Sequence, residues 1–291
     1  MATSIAEAIL QGTHTLRNAG VTEARREAGS LAAHVLGRDR SFILSHADDV
    51  VNQEQLEVFR QCIQLRAKGE PLQYITGLQE FFGLDFEVTS EVLIPRPETE
   101  LLVETALKLT AANDAAPFIC DVGTGSGCIA ITLLHELPEA RVVAIDISPA
   151  AVSVAKRNAA RHSVTERIHF IVADCFAGIV QGNSRGARFD LIVSNPPYVS
   201  EAALAGLQRE VRDFEPRRAL AAGADGLSII RCLLLGAGSF LKTGGYFLFE
   251  IGFDQGAVVE QLIDRQHWNL LDVLKDLQGI PRTVVLQKLE E

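Results

Sequence analysis

Phe118-Ile119-Cys120-Asp121-Val122-Gly123-Thr124-Gly125-Ser126-Gly127-Cys128 is the stretch from which the rest of the chain can be read. An apolar run of strand character enters three glycines within five residues. Ile129, Ala130, Ile131, Leu133 and Leu134 then take up a helical spacing. The expected unit is a strand, a tight turn and a helix. The glycines let the backbone approach a bound molecule and adopt positive φ, and the helix start offers N–H groups that lack intrahelical partners.

Residues 141–147 form a second strand-like run that places Asp146 at its carboxyl end, where such folds hold ribose hydroxyls. An adenosyl-type cofactor site follows from the pair. Gly125, Gly127 and Ala130 also fit the dinucleotide form G-x-G-x-x-A, so at this step NAD competes with other adenosyl cofactors.

The 291 residues, 47% of them apolar, suffice for one large domain and a smaller one. Lys and Arg number 27 against 37 Asp and Glu, and this charge of −10 disfavours a broad grip on nucleic-acid phosphates. Cys62, Cys120, Cys128, Cys175 and Cys232 form no CxxC pair and are expected as buried thiols in a reducing compartment, with no metal. The first residues lack a basic segment followed by an apolar core, and no apolar run nears the roughly 20 residues that cross a bilayer. A cytoplasmic protein with no membrane contact is expected.

Residues 1 to about 70 carry helical spacing and no convincing strand. Ile5, Ile9, Leu10 and Leu16 mark a first helix, residues 24–36 a second, and residues 53–66 a third with Leu56, Phe59, Ile63 and Leu65 turned inward. Thr22 and Asn52 are candidate helix starts, and His14, His34 and His46 are isolated from ligand partners. Gly69, Pro71, Gly77 and Gly83 then punctuate an aromatic segment that fits a hairpin or extended linker. Next come Ile94-Pro95-Arg96-Pro97-Glu98-Thr99-Glu100, a stiff loop that opens a helix through Leu101, Leu102 and Leu109, with its two acids at the positive helix end. Whether that loop also faces the cofactor pocket is open from sequence.

Beyond it, strands are expected at 118–122, 141–147, 168–172, 189–194, 245–251 and 283–289, and helices at about 127–137, 149–161, 226–241 and 255–265. The pattern is a doubly wound α/β sheet. Ser148-Pro149 starts the second of these helices, polar residues from Asn158 to His162 end it, and residues 177–188 read as a loop.

Asp174, just past the third strand, can accept from an adenine amino group while Phe176 or other apolar groups flank the ring. The fourth strand, residues 189–194, runs into Asn195-Pro196-Pro197-Tyr198, a signal far more specific than the glycine loop. A planar NH₂ has a delocalised lone pair and is a poor nucleophile. Asn195 Oδ1 and the Pro196 carbonyl can accept its hydrogens and stabilise the positive charge that develops on nitrogen. Tyr198 can stack on the planar group, and both prolines hold the carbonyl in place. Alignment and fixed dipoles then suffice for methyl transfer without a strong general base; a hydride acceptor has no use for such a clamp.

These residues, with Pro71-Leu72-Gln73-Tyr74-Ile75-Thr76-Gly77, Leu93 to Glu100, Phe214-Glu215-Pro216 and Glu250-Ile251-Gly252, resemble the HemK/PrmC family of S-adenosylmethionine-dependent methyltransferases over essentially the whole chain. That family modifies the glutamine side-chain nitrogen in the Gly-Gly-Gln loop of peptide chain release factors. The resemblance implies an N-terminal helical substrate-recognition domain (1–73), a β-hairpin linker (74–93) and a Rossmann-like seven-stranded methyltransferase domain (94–291) whose last strand is antiparallel. It implies S-adenosyl-L-methionine as cofactor, S-adenosyl-L-homocysteine as product and class 1 release factors as partners; with the acidic charge, no direct nucleic-acid contact is expected, and the chain is expected as a monomer. Gly123, Thr124, Gly125, Gly127, Asp146, Asp174, Cys175, Phe176 and Asn195 are then expected at the cofactor, and Asn195, Pro196, Pro197 and Tyr198 at the substrate glutamine. A ribosomal-protein glutamine or an adenine N6 in nucleic acid are the alternative acceptors, since the tetrad serves any planar nitrogen. Arg96, Glu215 and Glu250 take no role from sequence alone.

Overall fold

The computed structural model describes residues 3–111, 116–177, 179 and 188–290. Most of the expected 177–188 loop, Gly178 and residues 180–187, therefore lies outside the described residues. The chain divides into two units, Met1–Leu78 with Gln208–Phe214, and Gln79–Leu207 with Glu215–Glu291.

The first unit is helical: α1 (Ile5–Asn18), α2 (Ala24–Leu36), α3 (Arg40–Ser45), α4 (Gln53–Ala67) and α5 (Leu72–Thr76), joined by the distant α9 (Arg209–Phe214). Ser4 and Glu7 close a reciprocal capping box on α1, and Asn52 caps α4 by accepting from Gln55 N at 2.8 Å. Thr22 does not cap α2, whose N-cap is Glu23 without a side-chain bond. Leu16, Leu31, Leu56, Phe59 and Ile63 form the core, but Leu65, expected inside, is 40% exposed. Arg66 takes the inward position instead. Its guanidinium meets Glu27 of α2 and, at 2.6 Å, Glu210 of α9. A buried cation is tolerable only with such partners.

The second unit opens on the hairpin β1 (Leu78–Phe81) and β2 (Leu84–Glu87), followed by α6 (Glu100–Thr110). The main sheet contains β3 (Phe118–Val122), β4 (Arg141–Asp146), β5 (Ile168–Val172), β6 (Phe189–Ser194), β7 (Leu241–Glu250), β8 (Trp268–Lys275) and β9 (Pro281–Lys288), in the order β5-β4-β3-β6-β7-β9-β8. β3 to β7 pair in parallel, and the last strand, β9, is antiparallel to both its neighbours. α7 (Cys128–Glu136), α8 (Pro149–Arg161), α10 (Ser228–Phe240) and α11 (Gly256–Leu262) complete the α/β arrangement.

Successive strand residues feed opposite faces: Leu191, Val193 and Leu248 enter one core cluster, Ile192, Phe247 and Phe249 the other. Strand order reverses between β3 and β6, so their carboxyl ends flank the crevice where open α/β sheets bind ligands. Ser194 Oγ donates to Val122 O at 2.6 Å and stitches those two ends together.

Three further expectations need correction. β8 has no counterpart among the expected strands: a register shift between Leu270 and Asp272 breaks its alternation and leaves Leu271 exposed. Asn158 is fully buried rather than a polar helix end. It donates to Glu87 O and Ser126 O and accepts from Glu87 N, tying hairpin, α8 and glycine loop together. Of the cysteines, Cys62, Cys120 and Cys128 are buried, but Cys175 is half-buried and Cys232 exposed. Among the described residues no helix is long and apolar enough to cross a membrane.

Candidate active site

The carboxyl ends of β3, β4 and β6 open onto a cavity of about 590 Å³, within the usual range of small-molecule sites. The glycine loop forms one wall. Gly123 N and Thr124 N both donate to Ile145 O, at 2.8 and 2.9 Å, which bends the chain back over β4. Gly125 N then donates to Asp146 Oδ2 at 2.9 Å, while Ser148 N donates to Oδ1 at 2.8 Å. Each Asp146 oxygen keeps a further lone pair for a hydroxyl. Burial raises its pKa, and the two backbone donors oppose that shift.

Gly127 lies behind the wall rather than in it. Its φ is +84°, and a Cβ there would sit 2.8 Å from Ile131 Cδ1 and 3.2 Å from Ala155 Cβ. Its requirement is close helix packing. Asp121, fully buried below the loop, accepts from Thr124 Oγ1 at 2.7 Å, and burial pushes its carboxyl up to about 7.

Gly123, Thr124, Gly125, Asp146, Asp174, Cys175, Asn195, Pro196 and Pro197 all line the cavity. Phe176 does not. Its ring stacks on Phe240, centroids 5.2 Å apart, and presses on Gly236 within the core, which leaves the ring-flanking role to the other apolar groups at the cavity. The exposed apolar side chain at the cavity is Ile147, directly after Asp146, which sequence reasoning passed over.

Tyr198 does not line the cavity directly but lies beside the residues that do. Its carbonyl accepts from Gln255 Nε2 at 3.0 Å, its ring lies against Gly252, and its hydroxyl neighbours Glu250. Burial, then the Glu250 carboxylate, raises the phenol pKa.

Thr99 and Glu250 complete the site. Asn195 Nδ2 donates to Thr99 Oγ1 at 2.9 Å, and Thr99 Oγ1 donates to Glu250 Oε2 at 2.7 Å. Glu250 is 1% exposed; burial raises its carboxyl to about 7 against the lowering effects of Thr99, Arg282 and Tyr198. Thr99 sits between the acids Glu98 and Glu100, and a lone threonine gives no sequence signal of its own.

The proline-containing loop does face the cavity, through Pro95 and Thr99. Glu215 holds it from behind: its carboxylate receives the Arg96 guanidinium and Ile94 N. Glu100 accepts from Phe82 N at 3.0 Å and fastens the hairpin. Arg217 and Arg218 also reach the cavity, beyond anything the sequence suggested. Among the described residues no cluster of three His, Cys, Asp or Glu could hold a metal.

Known proteins match this arrangement along its length. Residues 7–77 match the PrmC N-terminal domain and residues 114–271 a methyltransferase domain. A protein of Koribacter versatilis (strain Ellin345) is 42% identical over 273 residues, 94% of each chain. One from Chlorobaculum tepidum is 46% identical over 266 residues, 90% of each. Both are named release factor glutamine methyltransferase. The crystal structure of a methyltransferase from Pyrococcus furiosus, 18% identical, covers 72% of this chain and 91% of its own with a TM-score of 0.52, a likeness of fold. With relatives of this identity spanning nearly all of both sequences, the chain belongs to the release factor glutamine methyltransferase family.

Proposed function

We infer that this methyltransferase moves the methyl group of S-adenosylmethionine onto the side-chain N5 of the glutamine in the Gly-Gly-Gln loop of class 1 release factors. The observation that carries the reading is the placement of Asn195 and Pro196 on the same cavity as the glycine loop and Asp146. When bound, S-adenosylmethionine supplies an electrophilic methyl on a sulfonium centre. The cavity fits that group: Gly123 and Gly125 offer a backbone wall without side chains, and Asp146 has acceptor capacity for ribose hydroxyls. Ile147 supplies an apolar face and Asp174 an acceptor for the adenine end.

On the acceptor side, Asn195 Oδ1 and the Pro196 carbonyl take the two hydrogens of the carboxamide nitrogen. Their dipoles steer its lone pair and stabilise the positive charge that grows on it. Pro196 and Pro197 fix the backbone that carries the carbonyl, and Tyr198 anchors the tetrad from behind through Gln255 and Gly252. The helical unit reads the partner protein.

Incubation with labelled S-adenosylmethionine and purified release factor, followed by peptide mass analysis, is expected to place one methyl on the loop glutamine. An adenine-containing oligonucleotide run alongside is expected to stay unlabelled. Label on the oligonucleotide alone, or none on the release factor with a cofactor-binding enzyme, overturns the reading.

A further inference from the structure

Asn195 can show the cavity either end of its side-chain amide, an acceptor oxygen or a donor NH₂, and the two ends have nearly the same shape. The neighbours decide between them. Thr99 Oγ1 lies 2.9 Å from Asn195 Nδ2 and 2.7 Å from Glu250 Oε2. A hydroxyl has one hydrogen, and an ionised carboxylate only accepts. With Glu250 ionised, the Thr99 hydrogen goes to Glu250, and Thr99 can only accept from Asn195. That turns Nδ2 toward Thr99 and leaves Oδ1 to serve the cavity.

We propose that Thr99 and Glu250 are positioning residues that fix the acceptor polarity of Asn195 toward a primary carboxamide, and that ionised Glu250 sets this polarity. The proposal rests on the glutamine reading above. A substrate NH₂ carries two donors, so a flipped Asn195 would set donor against donor and leave the developing positive charge without its acceptor. Protonated Glu250 permits that flip. Its O–H donates to Thr99 Oγ1, which frees the Thr99 hydrogen for Asn195 Oδ1.

The surroundings keep the carboxyl close to this change. Burial raises its pKa to about 7, Glu98 raises it further, and Thr99, Arg282 and the Tyr198 hydroxyl pull it down. The buried Cys128 thiol also feels its charge. Thr99 itself is 2% exposed, with its hydroxyl held between Asn195 and Glu250.

The test compares wild type, Thr99→Val, Thr99→Ser and Glu250→Gln for methyl transfer to release factor between pH 5.5 and 8.5. Calorimetry supplies the affinity for S-adenosylhomocysteine, and for release factor in its presence. Thr99→Val is expected to lower kcat by about tenfold to a thousandfold, the cost of one misplaced acceptor, with S-adenosylhomocysteine affinity within about twofold of wild type. Thr99→Ser, which keeps the hydroxyl, recovers most of that loss. Wild-type activity and release-factor affinity fall as pH drops below about 7. In Glu250→Gln, which cannot gain a charge, this acid limb disappears or moves.

A Thr99→Val enzyme that keeps wild-type kcat overturns the proposal. So does a Glu250→Gln pH profile that superimposes on wild type after scaling. A wild-type enzyme that binds cofactor yet leaves the loop glutamine unmodified defeats the glutamine reading and this proposal with it; activity in wild type without the variant effects defeats the proposal alone.

Discussion

Arg96 and Glu215 lie 119 residues apart in sequence and meet side chain to side chain, with the Glu215 carboxylate only 1% exposed. The same carboxylate accepts from Ile94 N, so one buried acid holds both flanks of Pro95. The loop that carries Thr99 thus starts from a fixed point. Glu215→Ala is expected to leave a guanidinium and a backbone N–H without their acceptor and to cost about 1–3 kcal/mol of stability. A chemical denaturation series checks this, and Glu215→Ala is also expected to weaken S-adenosylhomocysteine binding, because Pro95 is a cavity wall.

Asn195→Ala is expected to lower kcat for release-factor methylation by about tenfold to a thousandfold while cofactor affinity is retained. Steady-state kinetics and calorimetry on the same preparation separate the two. Unchanged turnover would remove Asn195 from the clamp.

Asp146→Ala removes the acceptor for Gly125 N and Ser148 N as well as for a ribose hydroxyl. S-adenosylhomocysteine affinity is expected to drop by about tenfold to a hundredfold, since hydrogen bonds to a charged group contribute about 1.5–3 kcal/mol. An affinity within twofold of wild type would place the cofactor elsewhere.

Gly127→Ala introduces a Cβ 2.8 Å from Ile131 Cδ1 at a φ of +84°. Both strain and overlap act, and a loss of about 1–3 kcal/mol is expected. Thermal unfolding measures it, and Gly123→Ala serves as the comparison, because open space surrounds that position and only the backbone conformation resists.

Asp121 and Glu250 both have folded carboxyls raised to about 7 from ordinary values of 3.8 and 4.5. Between those limits the folded state binds more protons than the unfolded state. Their contribution to stability therefore falls as pH rises toward 7 and stays low above it. Asp121→Asn and Glu250→Gln are accordingly expected to compare more favourably with wild type at pH 8 than at pH 5 in melting temperature. Equal differences at both pH values would show that neither group titrates in that window.

Local pattern made much of this legible. The glycine loop sits between an apolar strand and an apolar helix, and residues 118–122, 168–172 and 189–194 form strands at the expected limits. What escaped was set by tertiary neighbours. β8 hides its alternation behind a register shift. Phe176 and Tyr198 follow site residues directly, yet the Phe176 ring stacks on Phe240 in the core and the Tyr198 ring lies against Gly252, partners that no local pattern names. Thr99 has meaning only through Asn195 and Glu250, 96 and 151 residues away. No spacing rule reaches that far.

Arg66 joins Glu27 to Glu210, so α9, encoded well over a hundred residues later, is part of the helical unit that begins the chain. Swapping the amino-terminal module between relatives while leaving the late segment in place would pair a guanidinium from one lineage with an acid from another. The two stretches form a single heritable cassette, and chimeras that move them together should express and fold better than chimeras that split them.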